Sequence, residues 1–412
     1  MRNWLAGLGP GLLYAGAAVG VSHVVQSTRA GALYGFGLLG FVLLVNLLKY
    51  PFFSYASRYA RHSGKDLIEG YGRMHSWVLP VFLLLTVATM FPILVAITAV
   101  FTGIVQFLAF PEASSIWVSG ISLLSCALLL SVGRFSALDK GIKIIMLLLV
   151  LTTLLALVFA FGEPERMQAA AAGRFIFDKA GWVFLLAFAG WMPTPIDASV
   201  WQSMWTVAKR EKHEVSNAQL RFDFRLGYHS SMILAVFFVV LGGVVLYGKG
   251  SLPEGGAAFA AAFVNLYVEL LGSWSFPVIA ISVFVTIFST LLTVMDAYPR
   301  VLARAMRFYQ SKNSGEPAAS AMDEKSWRLW IWIFAGGSFV MLLFLKSSML
   351  ALVDFATILS FLSAPILAWW NMQLLHKHPS AQDFRPEKFM QAWAWLGLAF
   401  LVVMNALYIW FR

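Results

Sequence analysis

The sequence predicts an all-α integral membrane protein. Eleven transmembrane helices are expected, ten of them an inverted repeat of five plus five, with the first and sixth helices broken. Three observations predict it. Of 412 residues, 60% are hydrophobic and only 12% charged, about half the charged share of a soluble chain, and mean hydropathy is +0.76. Apolar runs of about 20 residues, enough to cross the bilayer core, recur along the whole length. In lipid these runs must be helices, because a helix satisfies its own backbone hydrogen bonds. Finally, glycine and proline interrupt two runs that lie five spans apart, as an inverted repeat requires.

In chain order the spans fall near 6–30, 34–57, 77–108, 114–133 and 142–162, then 181–207, 226–248, 274–298, 328–346 and 348–375. The first repeat is thus about 6–162 and the second about 181–375, in one transporter domain covering 1–412, with an extra helix at 390–411. "GGAAFAAAFVNLYVELLG" (255–272) reads as a surface helix before span eight. Basic residues gather in alternate loops: Arg58, Arg61, Lys65 and Arg73; Arg134, Lys140 and Lys143; Lys209, Arg210, Lys212, Arg221 and Arg225; and six between Arg300 and Arg328. "FPEASS", between spans three and four, has none. The positive-inside rule then puts the N-terminus in the cytoplasm and the C-terminus outside, in a multi-pass protein of the inner or plasma membrane. Topology accounts for the net charge of +10, so no nucleic-acid partner is expected, nor an obligate protein partner. The single cysteine, Cys126, excludes an internal disulfide. The N-terminus lacks a leader's charged region and cleavage site, so no removable signal peptide is expected.

The first interruption lies in "GLLYAGAAVGVSHVVQST" (Gly11–Thr28), where Gly20, Ser22, His23, Gln26 and Ser27 occupy the middle of a span. The second is "AGWMPTPIDASVWQS" (Ala189–Ser203). Pro193 and Pro195 each remove a backbone donor and clash with the preceding turn, and Thr194 and Asp197 are placed to cap the second half-helix. The breaks are expected near Gly20–His23 and Met192–Pro195. They would expose carbonyls and half-helix N-termini to a substrate at midplane.

Several short stretches resemble the Nramp family of divalent-metal transporters, which have the LeuT-type fold: "GPG" at Gly9–Gly11 with "RAGALYGFGLL" after it, "SGKDL" at Ser63–Leu67, "GRFSALDKGIK" at Gly133–Lys143, "MP" at Met192–Pro193 and "FDFRLGY" at Phe222–Tyr228. The resemblance covers most of the chain in order and implies that fold. The site departs from the family pattern. Where the family has Asp-Pro-Gly-Asn, with Asp and Asn on the metal, this chain has Gly20-Val21-Ser22-His23; where it has Met-Pro-His-Asn, this chain has Met192-Pro193-Thr194-Pro195. The family's acidic residues of span three are missing from "TVATMFPILVAITAVFTG".

Without the carboxylate, charge compensation for a dehydrated divalent cation is lost. Half-helix N-termini and neutral donors favour an anion. The predicted substrate site is Gly20, Ser22, His23, Gln26, Ala189, Met192 and Thr194, with Ser22, His23 and Gln26 on roughly one face. The predicted substrate is a small anion such as bicarbonate or a short carboxylate; the alternative is Mn²⁺ or Mg²⁺, proton-coupled or uncoupled. The resemblance to LeuT-type folds further implies a coupling Na⁺ near Ala18, Ser289, Thr290 and Thr293. No other cofactor is expected. Each residue also has a structural reading: His23 as a hydrogen-bonded core residue, Gln26 and Ser27 as helix–helix contacts, Met192 as packing, and the span-eight hydroxyls as ordinary packing. Lys49, inside span two, snorkels, attracts anions or pairs with an acid; Asp197, Asp296 and Asp354 serve a proton or cation or cap a helix; and Arg29 is an outer funnel charge or an interfacial anchor. No motif of a membrane enzyme occurs, so no catalytic residue is expected.

Overall fold

The computed structural model describes residues 8–133, 135–250, 252–314, 323–345, 347–377 and 385–411. Span one is α1 (Pro10–Ala18), a π-helical turn (Ser22–Ser27) and α2 (Thr28–Tyr34). Next come α3 (Leu39–Ser63), the short α4 (Leu67–Met74), α5 (Val78–Leu108), α6 (Ser115–Ser131), α7 (Phe135–Phe161) and the short α8 (Pro164–Ala171). Span six is α9 (Lys179–Trp191) and α10 (Ala198–Lys212). Then follow α11 (Asn217–Leu246), α12 (Gly256–Leu271), α13 (Ser275–Ser314), α14 (Glu324–Phe344), α15 (Met349–Lys377) and α16 (Lys388–Phe411). Eight of the described helices are long and apolar enough to cross a membrane unaided. The halves of spans one and six are shorter, as are α6 and α12.

Local chemistry sets the ends. Gly64 takes a left-handed φ of 69° and closes α3, which glycine does without a Cβ penalty. Two residues on, Asp66 caps α4 by accepting from the Glu69 amide at 2.8 Å. The "SGKD" stretch is therefore a stop followed by a start. Asp178 caps α9 through the Gly181 amide at 2.7 Å, and Ser216 with Gln219 forms a capping box on α11.

Some boundaries differ from the sequence reading. α11 begins nine residues before the predicted 226, because the capping box starts it at Asn217. α13 runs through Pro299 to Ser314. Its extension carries Arg304, buried and ion-paired with Asp66 at 2.7 Å and Glu69 at 3.3 Å. The helix at 256–271 is present but is no mere surface element. Phe259, Phe263 and Tyr267 are buried, the Tyr267 and Thr153 hydroxyls are 2.9 Å apart, and a Cβ on Gly103 would meet Gly256 backbone at 2.3 Å. Of the basic loop 134–143, Arg134 and the side chains of Lys140 and Lys143 lie outside the described residues.

The "GPG" and "FDFRLGY" stretches meet in space. The Asp223 carboxylate on α11 accepts from the amides of Gly9 at 3.0 Å and Gly11 at 2.5 Å, at the N-terminus of α1, where amide donors lack helical partners. The backbones almost touch: a Cβ on Gly227 would fall 2.0 Å from the Gly11 carbonyl oxygen. Gly227→Val should therefore destabilise the fold by at least the roughly 1–3 kcal/mol of an overpacked core. Gly336→Ala, whose new methyl would meet nothing within 4 Å, should be neutral or stabilising by about 0.5–1 kcal/mol. Thermal unfolding of the purified proteins in detergent checks the contrast.

Candidate substrate site

The two interruptions lie side by side. The Ser27 hydroxyl donates to the Met192 sulfur at 3.6 Å across the gap between spans one and six. Between them is a cavity of about 30 Å³, lined by Ser22, Thr194 and Thr290 and walled by Trp191 and Trp201. It has room for about two waters. The Trp191 indole is fixed by donating to the Ser360 hydroxyl at 3.1 Å.

In span one the chain opens only at Val19–Gly20; from Ser22 it rewinds as a π-turn. This narrows the predicted break at Gly20–His23 to its first residue. The wider turn also overturns the predicted common face. Ser22 reaches the cavity and donates back to the Ala18 carbonyl. The His23 ring turns to α11, its Nε2 2.8 Å from the Ser231 carbonyl and its Nδ1 2.9 Å from the Ser22 hydroxyl. Gln26 points elsewhere, donating to Asp354 of α15 at 3.1 Å. A carbonyl only accepts, so His23 Nε2 carries a proton committed to Ser231, and the fully buried ring holds the turn in place from behind.

Gly20 faces α13 at very short range. A Cβ there would lie 2.3 Å from Thr290 Oγ1 and 2.8 Å from its Cγ2. Thr290 thus occupies the space that a side chain at position 20 would need.

Span six opens from Met192 to Asp197, which frees the last carbonyls of α9. Lys49 of α3 takes them. Its fully buried ammonium donates to the carbonyls of Ala189 at 2.7 Å, Gly190 at 2.9 Å and Thr194 at 3.5 Å. Asp197 does not cap α10 with its side chain. It accepts from the Tyr298 hydroxyl at 2.6 Å and acts electrostatically on Lys49. The Thr194 hydroxyl has no hydrogen-bond partner among the described residues.

Of the predicted sodium ligands, the Ala18 carbonyl accepts from Ser22. Thr290 donates to the Thr286 carbonyl at 3.0 Å while lining the cavity. Ser289 is buried and Thr293 half-buried on the same helix, and neither lines the cavity. Among the described residues no three His, Cys, Asp or Glu side chains come together as a metal-ligand group.

Sequence reading missed the partners of Arg29 and Asp354, which form a two-pronged ion pair at 2.7 and 2.9 Å between α2 and α15. Arg29 also lies over the Phe184 ring of α9 at 5.0 Å. Asp296 pairs with Arg300 one turn on, at 2.5 Å.

Residues 11–411 match the family model described as natural resistance-associated macrophage protein-like, Nramp. An uncharacterised protein of Pasteurella multocida (strain Pm70) is 32% identical over 380 residues, 90% of this chain and 85% of that one. A manganese transporter of Eremococcus coleocola, solved as a histidine-to-alanine variant, superposes with a TM-score of 0.70 at 14% identity, covering 98% of this chain and 85% of that one. MhsT in complex with L-phenylalanine superposes with a TM-score of 0.65 at 13% identity, covering 96% and 98%. These likenesses carry the architecture, a LeuT-type helical fold.

The contact at Gly20 yields a test. Gly20→Ala should destabilise the protein by about 1–3 kcal/mol, and adding Thr290→Ala, which removes both nearest atoms, should recover most of that loss in thermal unfolding. Equal destabilisation in the single and double variants would contradict the contact.

Proposed function

Because the chain belongs to the Nramp family of membrane transporters, we propose that it is a secondary transporter that departs from the family in substrate, carrying a small anion, bicarbonate or a short carboxylate, together with Na⁺. One observation carries this reading: a fixed ammonium, Lys49, holds the opened carbonyls of span six at Ala189, Gly190 and Thr194. Those carbonyls are the groups a broken helix would otherwise offer to a cation. With the ammonium among them, an approaching divalent cation meets like charge where water is scarce and screening weak. The carboxylate that would offset it is missing at position 20, where Thr290 takes up the room. Asp197 balances Lys49 without adding negative charge beyond that balance.

The cavity suits a substrate of few heavy atoms. The Thr194 hydroxyl is available to donate, and Ser22 and Thr290 add polar edges. His23 acts through Ser22 and the turn, as a positioning residue. An anion entering a cell moves against an inside-negative potential, at about 2.3 kcal/mol per charge per 100 mV. Accumulation inward therefore needs a co-driven cation. Thr290, which faces Gly20, with its neighbour Ser289, is where Na⁺ would be held. The orientation that makes this uptake is the cytoplasmic N-terminus implied by the basic loops.

A second reading keeps a metal as substrate. It is favoured by family membership, by the Eremococcus coleocola relative's description as a manganese transporter, and by the Met192 sulfur at the break.

Reconstituted liposomes separate the two. Labelled bicarbonate or short carboxylates should accumulate with an inward Na⁺ gradient. Lys49→Gln should cut that uptake by roughly 10–100-fold, because the charged donor that holds the span-six carbonyls is lost. Saturable Mn²⁺ uptake at micromolar concentration, with no Na⁺-dependent anion uptake, would overturn the anion reading.

A further inference from the structure

We propose that this protein carries a second anion site, separate from the transport cavity, that binds a phosphate group at the end of the bundle where α3 finishes and α11 and α16 begin. There, a cavity of about 200 Å³ is lined by Arg58 and Arg61 of α3, Arg221 and Arg225 of α11, and Glu387 just before α16. Four guanidinium groups thus face one carboxylate. Among the described residues none of the four arginines makes an ion pair within 4.0 Å.

The arrangement is built rather than incidental. Arg61 is buried, 7% exposed. One of its end nitrogens donates to the Asn217 carbonyl at 3.2 Å, Arg210 donates to its own carbonyl, and its Nε is buried with no partner. A buried guanidinium N–H left unpaired is costly, and like charges gathered round one cavity repel each other. A multivalent oxyanion removes both penalties at once, because a guanidinium presents paired N–H groups that match two oxygens of a phosphate. The floor is rigid: Tyr50 stacks on Trp393 at 5.4 Å between ring centres, and the Tyr55 hydroxyl donates to the Met390 carbonyl at 3.1 Å. An occupant would therefore clamp α16 to α3 and α11.

The rim indicates the source of the phosphate. Phe222 and Leu226 each follow one of the α11 arginines and are 44% and 40% exposed, and Phe389 is 73% exposed at the start of α16. An apolar stripe beside a basic pocket at a helix end matches a phospholipid, with acyl chains along the stripe and headgroup in the pocket. A free phosphate would use only the pocket.

The test is thermal unfolding of the delipidated, detergent-purified protein with cardiolipin, phosphatidylglycerol or millimolar inorganic phosphate added. The variants are Arg221→Ala, whose side chain is exposed, and the triple Arg58→Ala, Arg221→Ala, Arg225→Ala. Wild type should be stabilised by the anionic lipids, with half-maximal effect at roughly tenfold higher lipid in Arg221→Ala, one charged contact being lost, and no effect in the triple variant. Stabilisation of wild type by inorganic phosphate, lost in the same variants, would keep the site and assign it to a soluble ion. No stabilisation by any additive, or equal stabilisation of wild type and Arg221→Ala, would overturn it.

Discussion

A carbonyl released from a helix inside a membrane has no water to accept from, and leaving it bare costs several kcal/mol. Pro193 and Pro195 release such carbonyls at the end of α9, and the rest of the centre follows from how they are satisfied. The solution is a lysine from a neighbouring helix, sunk completely below the surface and spread over three oxygens. A buried ammonium needs both acceptors and a counter-charge, and Asp197, anchored by Tyr298, supplies the second. One bond-poor stretch of backbone thus fixes the positions of a cation on α3, an anion at its own end and a tyrosine on α13.

The same economy operates in span one. Val19 and Gly20 leave the helix, and the chain rewinds at once with Ser22 returning its hydroxyl to Ala18. Thr290 fills the space beside Gly20. The break is short because it is plugged from both sides. Elsewhere, two charged contacts tie separate helices together: Arg29 with Asp354 between α2 and α15, and Arg304 with Asp66 and Glu69 between α13 and α4. Any alternation of access that separates these helices must break one of them.

Much of this was legible in the sequence. Glycine and proline act locally, so the interruption from Met192 was read to within a residue of its start, and hydropathy located the spans. Short motifs also had a physical meaning that showed only in space: Gly9–Gly11 and Phe222–Tyr228 are two sides of one joint, held by Asp223 and the closeness of Gly11 to Gly227. The partners of Lys49, Arg29 and Asp354 were not legible, because each lies more than a hundred residues away. Nor were the directions of His23 and Gln26. Counting at 3.6 residues per turn put Ser22, His23 and Gln26 together, and the backbone did not keep that count.

The π-turn changes the register of everything after it. Each hydrogen bond in a π-turn spans five residues where an α-helix spans four, so the turn at Ser22–Ser27 holds one residue more than an ordinary helix closing the same gap. Side chains downstream are rotated relative to any helix that lacks the extra residue, and position-by-position alignment no longer pairs side chains that share a location. The amide of an asparagine installed at position 23 would be directed at Ser231 of α11, as the His23 ring is. A side chain exchanged at position 23 is accordingly still presented to α11, and only a change in chain length within the turn would re-aim it.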